Sequence, residues 1–190
     1  MVNQVTTTLI ANHSSYDTQT SCSLIIVFRG RGFLHCLNVF VINFCREMDV
    51  LAGQTLTNKK SHQIKAEVAL ADIQVICYYF SAHWCPPCRG FTPVLADFYN
   101  ELKEAGAAIE VVFVSSDRSD ADMKSYMQES HGDWLAATWG SPLVSTLKTK
   151  YGISGIPSLI VVRQDGTLIT KDGRSDVHRK GAACFQEWTK

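Results

Sequence analysis

A chain of 190 residues with 18 basic and 18 acidic side chains carries no net charge, and 46% of it is hydrophobic. That size suits one globular domain with an appendage. The charge balance argues against a binder of nucleic acid or of an acidic membrane surface, since both favour a basic excess. Seven cysteines are an odd number in a chain too long for a disulfide-dense miniprotein. Cys22, Cys36, Cys45, Cys77 and Cys184 follow no metal or disulfide spacing. Scattered thiols fit a reducing compartment, where a buried Cys packs as a small hydrophobe.

The chain opens with a stretch rich in Thr, Asn, Ser and Gln, which reads as disordered. Leu24 to Cys45 is more apolar, but Arg29, Arg31, His35, Asn38 and Asn43 interrupt it. A membrane span needs about 20 mostly apolar residues, and an arginine at its centre costs roughly 2.5–3.5 kcal/mol. No span is therefore expected, and the absence of a basic segment before Leu24 argues against a signal peptide. Residues 1–48 are expected to be a poorly ordered N-terminal extension and residues 49–190 the folded domain.

From Asp49 the pattern becomes regular. Gln54 to Asn58 predicts a short strand, Lys59-Lys60-Ser61 a polar turn, and Ile64 to Ala71 a short helix. Ile73 to Phe80 is almost continuously apolar, as in a central strand covered on both faces. Phe91, Val94, Leu95, Phe98 and Leu102 recur at helical spacing, and Gly106 ends that helix. Pro93 within it removes a backbone donor and is expected to kink it. Ile109 to Ser115 predicts a second buried strand, and Ser119 caps a helix with Met123, Tyr126 and Met127 inward. Ser141-Pro142 starts another helix, which Gly152 stops. Ser158 to Val162 and Thr167 to Thr170 flank the turn Gln164-Asp165-Gly166, and a last helix is expected around Gly181 to Trp188. Strands and helices in this order give an α/β fold, a central mixed β-sheet with helices on both faces.

The chemistry is concentrated at Cys85-Pro86-Pro87-Cys88, between the central strand and the helix. Two cysteines at this spacing close a small disulfide ring, and the pattern outside a secretory context points to a redox site. A free thiol has a pKa of about 8.5, while thiols at helix starts and in such rings fall to roughly 3.5–7.5 because free N–H groups and the helix dipole favour the anion. Cys85 is the expected attacking thiol, because the first Cys of the turn is expected to be the exposed one, and Cys88 the resolving one. Pro86 and Pro87 stiffen the link and suit a helix start. Zinc would need a second ligand pair, and no second CxxC or closely spaced histidine pair is present. Downstream, Ile156-Pro157 enters a strand, where a cis proline would hold the chain beside the ring and offer backbone hydrogen bonds to an extended substrate. Only about 5–6% of X–Pro bonds are cis, so the spacing leaves the isomer open.

The run Tyr79-Phe80-Ser81-Ala82-His83-Trp84-Cys85-Pro86-Pro87-Cys88-Arg89 resembles the active-site segment of the nucleoredoxin and tryparedoxin branch of the thioredoxin superfamily. Val112 to Ser119, Trp134-Leu135-Ala136 and Tyr151 to Ile160 extend the likeness, which covers Leu51 to Trp188. The resemblance implies a thioredoxin-like fold, dithiol–disulfide oxidoreductase activity and a cis bond before Pro157. It also implies no bound cofactor beyond the Cys85–Cys88 disulfide, protein disulfides as substrates, and a reducing protein or small thiol as donor. The cytoplasm is the expected location, with the nucleus as an alternative. The sequence departs from the branch at Gly132-Asp133 before Trp134, and it has one such unit where nucleoredoxin has several. Where ordinary thioredoxins have a buried Asp, this chain has Tyr79, a poor base at neutral pH.

Around the ring, Trp84 is expected to shape the rim and Arg89 to be solvated, while His83 either tunes the site or is a solvated loop residue. Trp134 and Trp139 read as core aromatics, Cys77 as an inert core thiol, and the acidic run Asp117 to Asp122 as helix capping. An alternative to catalysis is a redox-controlled module that binds a signalling partner in the same groove.

Overall fold

A computed structural model describes residues 50–190, and the expectations for residues 1–48 lie outside the described residues. The strands are β1 (Thr55–Thr57), β2 (Gln63–Lys65), β3 (Val75–Ser81), β4 (Ile109–Ser115), β5 (Leu135–Ala137), β6 (Ser158–Arg163) and β7 (Leu168–Thr170). The helices are α1 (Ala66–Ala69), α2 (Pro86–Glu104), α3 (Asp120–Ser130), α4 (Pro142–Tyr151), α5 (Gly173–Lys180) and α6 (Cys184–Trp188). All seven strands join one mixed sheet in the order β2-β1-β5-β4-β3-β6-β7. The α/β architecture expected from the sequence is the one observed.

β3 is the axis of the sheet. It runs parallel to β4 from Val75 opposite Ile109 to Ser81 opposite Ser115, and antiparallel to β6 with Phe80 opposite Ser158. Every residue of β3 and β4 is buried, as continuous apolar runs require. Alternation then sends their side chains to two cores. Cys77, Tyr79, Val111, Phe113, Leu159 and Val161 pack with α2, α3, α5 and α6. Ile76, Tyr78, Phe80, Val112, Val114 and Ile160 pack with Leu70 and with Leu143, Leu147 and Tyr151 of α4.

Helix ends follow local chemistry. Ser119 caps α3, its hydroxyl accepting from the Asp122 amide at 3.1 Å. Gly152 ends α4 in the left-handed conformation at φ 66°, where a side chain would be strained. Helix α2 runs through Pro93 without interruption, from Pro86 to Glu104.

Three short elements depart from the expected pattern. The segment expected to be one helix, Ile64 to Ala71, instead gives β2 and a four-residue α1. The reason is the turn: the Asn58 side-chain oxygen accepts from the amides of Lys60 and His62, folding Gln63–Lys65 back on β1. β5 has three residues and carries no readable alternation, but Val112 and Phe113 of β4 pair with it. Helix α5 precedes the expected last helix, which itself splits into a 3₁₀ turn at Gly181–Ala183 and α6. Only Gly173 and Val177 of α5 are buried, too few to show a period.

Gly173 explains how closely α5 sits. A Cβ there would stand 2.9 Å from the Leu159 carbonyl oxygen and 2.7 Å from Val161 Cγ2. Gln164, expected in a turn, is buried and clamps the far end of the sheet by donating to the carbonyls of Leu70 and Ala71 at 2.6 and 2.9 Å.

One titratable group sits in the aromatic core. His131 packs against Phe113 and Tyr126, each with ring centroids 4.4 Å away, and its Nδ1 accepts the Trp134 indole N–H at 3.0 Å. Burial pushes its pKa down to about 3, so the folded protein holds the neutral ring that this acceptor role needs. The unfolded chain titrates at about 6.5, so the stabilisation is complete above that pH and is lost as pH falls toward 3. The loss is on the order of 4 kcal/mol by pH 3. Glu110, whose pKa burial raises, works in the opposite sense, since the folded state favours its protonated form and loses stability as pH rises above 4.5. Urea unfolding at pH 7 and pH 4 should therefore show a stability gap between wild type and His131→Leu that narrows in acid. Gly173→Ala should cost about 1–3 kcal/mol in the same assay.

Candidate functional site

At the end of β3 the chain turns through Ala82, His83 and Trp84 into α2. Cys85 is the N-cap, with extended backbone at φ −92° and ψ 107°, and prolines occupy the first helical positions. Its amide donates to the Ala82 carbonyl at 3.2 Å, and its own carbonyl accepts the Arg89 amide at 3.1 Å. Arg89 also reaches back, its guanidinium donating to the His83 carbonyl at 2.7 Å. This side chain is exposed, as expected, and it also braces the turn. Cys85 and Cys88 are disulfide-bonded, with Cα atoms 5.2 Å apart. Since Pro86 and Pro87 have no N–H, the first amide of the helix is that of Cys88, at the dipole's positive end.

The expected exposure of Cys85 needs correction. It is 4% exposed and Cys88 0%, because Ala82 and Ile156 pack against the ring. Cys85 remains the more accessible sulfur, at the floor of the surface rather than on it.

Pairing of Phe80 with Ser158 brings the start of β6 beside the end of β3, and with it the preceding turn. The Ile156–Pro157 peptide bond is cis, and the Ile156 carbonyl oxygen lies 3.9 Å from Cys85 Sγ. Ser158 Oγ donates to the Gly155 carbonyl at 2.7 Å and closes that turn. Two segments more than 60 residues apart in sequence thus meet at one sulfur.

A third segment, the loop after β4, holds the first two together. The Ser116 amide donates to the Ser81 carbonyl at 2.9 Å. Asp117 Oδ1 accepts the His83 amide at 2.7 Å, and its Oδ2 accepts the Ser115 hydroxyl at 2.8 Å. Two indoles hang from this loop, Trp84 donating to the Ser116 carbonyl at 3.0 Å and Trp139 to the Asp117 carbonyl at 3.2 Å. Trp84 is 52% exposed, as a rim residue would be. Trp139, expected in the core, is 39% exposed because its indole N–H is drawn outward to this loop; Trp134 is buried as expected. His83 is no freely solvated histidine. Its ring stacks on Tyr126 at 5.0 Å, and its Nε2 lies 3.2 Å from Glu129 Oε2.

Beneath the ring lies a cluster of hydroxyls. Tyr79 Oη is 2.7 Å from Thr92 Oγ1, and Thr92 donates to the Cys88 carbonyl at 2.9 Å. Tyr126 Oη hydrogen-bonds Thr92 Oγ1 and lies 3.3 Å from Ser81 Oγ. Burial raises the Tyr79 phenol further above its ordinary value, so it holds its proton. Cys77 is likewise buried with its thiol pKa raised, which fits an inert core residue. Among the described residues, no group of three or more His, Cys, Asp or Glu side chains could hold a metal ion.

The sequence reading missed Asp117 as a staple of the turn, and it missed Thr92 and Tyr126. A hydroxyl four residues after Cys88, on the inward face of a helix, was the available signal for Thr92. The partnership of Asp117 with a main-chain amide 34 residues away left no local signal.

A sequence profile described as thioredoxin-like matches residues 72–168. Mouse nucleoredoxin is 42% identical over 130 residues, 68% of this chain and 29% of that protein, so the chain spans less than a third of this longer relative. Two solved structures cover a comparable chain. Thioredoxin-related protein 16 of Carcinoscorpius rotundicauda, described with a role in regulating transcription factor NF-kB activity, is 52% identical, with a TM-score of 0.66 over 74% of this chain and 98% of that one. Native tryparedoxin I of Crithidia fasciculata is 32% identical, with a TM-score of 0.62 over 70% of this chain and 90% of that one. A strand–CxxC–helix turn facing a cis proline defines a class, that of dithiol–disulfide oxidoreductases. The chain belongs to the thioredoxin-like family, with Cys85–Cys88 as its redox-active pair and nucleoredoxins and tryparedoxins among its relatives.

Replacing Asp117 by Ala leaves the His83 amide and the Ser115 hydroxyl without their acceptor. It should cost about 2–3 kcal/mol in urea unfolding, and Asp117→Asn, which keeps one acceptor oxygen, should cost less.

Proposed function

We propose that this protein reduces disulfides in other proteins, with Cys85 as the nucleophile and Cys88 as the resolving thiol. The observation that carries the reading is the meeting of the Cys85 sulfur with the Ile156 carbonyl across the cis bond, 3.9 Å apart, at the start of a 19-residue helix. There the helix dipole favours a Cys85 thiolate once the ring is reduced. The thiolate attacks one sulfur of a substrate disulfide, a mixed disulfide forms, and the other substrate sulfur leaves as a thiol after taking a proton. Cys88 then gives up its proton and attacks Cys85, the Cys85–Cys88 bond forms, and the second substrate thiol departs. Two electrons pass to the substrate, and an external thiol or reducing protein restores the dithiol.

Trp84, Pro86, Pro87, Ile156 and Pro157 shape the surface on which the substrate lies. An extended segment beside the cis bond would hydrogen-bond to the backbone around Ile156, in the manner of strand addition. No cofactor is called for beyond the disulfide itself. Residues 49–190 form the catalytic domain and residues 1–48 an extension to it, and the cytoplasm or nucleus is the proposed location. Among the described residues, no helix is long and apolar enough to cross a membrane.

A second reading is a module whose redox state controls the binding of a signalling protein, favoured by the role in NF-kB regulation described for the 52%-identical relative. Insulin reduction with a chemical thiol as donor separates the two. Cys85→Ser should abolish turnover, and Cys88→Ser should accumulate covalent mixed disulfides with many proteins. Full activity of Cys85→Ser would overturn the enzymatic reading. A single non-covalent partner retained without either thiol would support the binding module.

A further inference from the structure

Three prolines fall within eight residues at the start of α2, at positions 86, 87 and 93. Two strip the first turn of N–H donors, and the third deprives the Arg89 carbonyl of its intrahelical partner. First-turn N–H groups have no intrahelical partner in any helix, so only Pro93 removes a main-chain bond, at the carbonyl next after that of Cys88. Side-chain hydroxyls gather on the Cys88 carbonyl, one residue before that gap. Thr92 Oγ1 donates to the Cys88 carbonyl at 2.9 Å, and Tyr79 Oη approaches the same oxygen at 3.4 Å.

The cluster is closed. With the Thr92 proton on the Cys88 carbonyl, the Tyr79 and Tyr126 phenols donate to Thr92 Oγ1 and the Ser81 hydroxyl donates to Tyr126. That arrangement uses every proton once. Ser81, Thr92, Tyr79 and Tyr126 are all 0% exposed, and the stacked His83 ring covers Tyr126 from outside. The four groups come from β3, α2 and α3, so the Cys88 peptide is tied to three elements at once. Nothing in the cluster is a base.

We propose that Thr92, clamped between the Tyr79 and Tyr126 phenols, is a positioning residue that sets the stability of the Cys85–Cys88 ring by fixing the Cys88 peptide. In the resolving step the Cys88 S–H bond breaks, the Cys85–Cys88 bond forms, and the bond from Cys85 to the substrate sulfur breaks; the departing thiolate takes up a proton. The rate and equilibrium of that closure depend on how narrowly Cys88 is confined near Cys85, which is an effective concentration. Releasing the clamp widens that distribution, so closure slows and the oxidised ring becomes easier to reduce. The inference rests on Cys88 being the resolving thiol.

The test is a redox titration of the full chain against glutathione, with the Cys85 and Cys88 states read on the isolated site peptide after alkylation. Thr92→Val removes the hydroxyl at nearly constant volume. It should lower the ring-closure equilibrium constant about tenfold, a potential less negative by about 30 mV, and should lengthen the life of the glutathione mixed disulfide. Thr92→Ser keeps the hydroxyl and should restore both. If Thr92→Val does not fold, Tyr126→Phe and Tyr79→Phe each remove one clamping donor and should shift the potential in the same direction by less. A Thr92→Val potential equal to wild type, or a Thr92→Ser shift as large as that of Thr92→Val, would overturn the inference. For Tyr126→Phe and Tyr79→Phe, no shift in either would do the same. A wild-type ring that never closes in oxidised glutathione would instead remove the proposed function beneath it.

Discussion

Everything at the site hangs on the pairing of β3 with strands on both sides along nearly its whole length. Because Ser81 stands opposite Ser115 and Phe80 opposite Ser158, three chain segments leave the sheet at the same edge. One carries the cysteines, one the cis proline, and one Asp117. A slip of one residue in either pairing would turn Tyr79 and its neighbours to the wrong core and separate the Cys85 sulfur from Ile156. Two-sided burial makes such a slip expensive, since the continuous apolar run of β3 is sorted between two cores of different shape. The large aromatics Phe113, Tyr126 and Trp134 lie on one side, and Leu70, Leu143 and Leu147 on the other.

On that frame the redox turn is braced by side chains as well as by its main-chain hydrogen bonds. Arg89 braces the turn from within the helix, Asp117 from the loop after β4, and the hydroxyl cluster from below. Tyr79 is the residue that most separates this site from one built around a buried carboxylate. A phenol that burial holds protonated carries no charge beneath the ring, where a carboxylate would.

Much of this was legible in the chain. β4 was expected at Ile109 to Ser115 and lies there, because seven buried residues in succession leave no other reading. Ser119, Pro142 and Gly152 marked their helix ends through local chemistry. The cysteines, the cis bond and Tyr79 were all visible as residues, although the cis isomer followed from family resemblance. What stayed hidden was decided by distant partners. β5 is a strand because β1 and β4 flank it, α5 is placed by one glycine against β6, and Trp139 faces outward because a carbonyl in another loop takes its N–H. Asp117 read as a cap when viewed alone, since a carboxylate near a helix start usually is one. Its real partner, the His83 amide, became visible only once the register of β3 and β4 was set.

The four tryptophans divide into two kinds. Trp84 and Trp139 stand partly in water, each donating to a carbonyl of the loop after β4, whereas Trp134 and Trp188 lie within the core. Their emission should divide the same way, a red-shifted component open to a dissolved quencher and a blue-shifted one closed to it. Within the first, Trp84 adjoins Cys85, and the second belongs to the packing of the sheet against its helices. One optical signal from the unlabelled protein thus carries two separable channels, one sensitive to what happens at the sulfurs and one to whether the domain is folded.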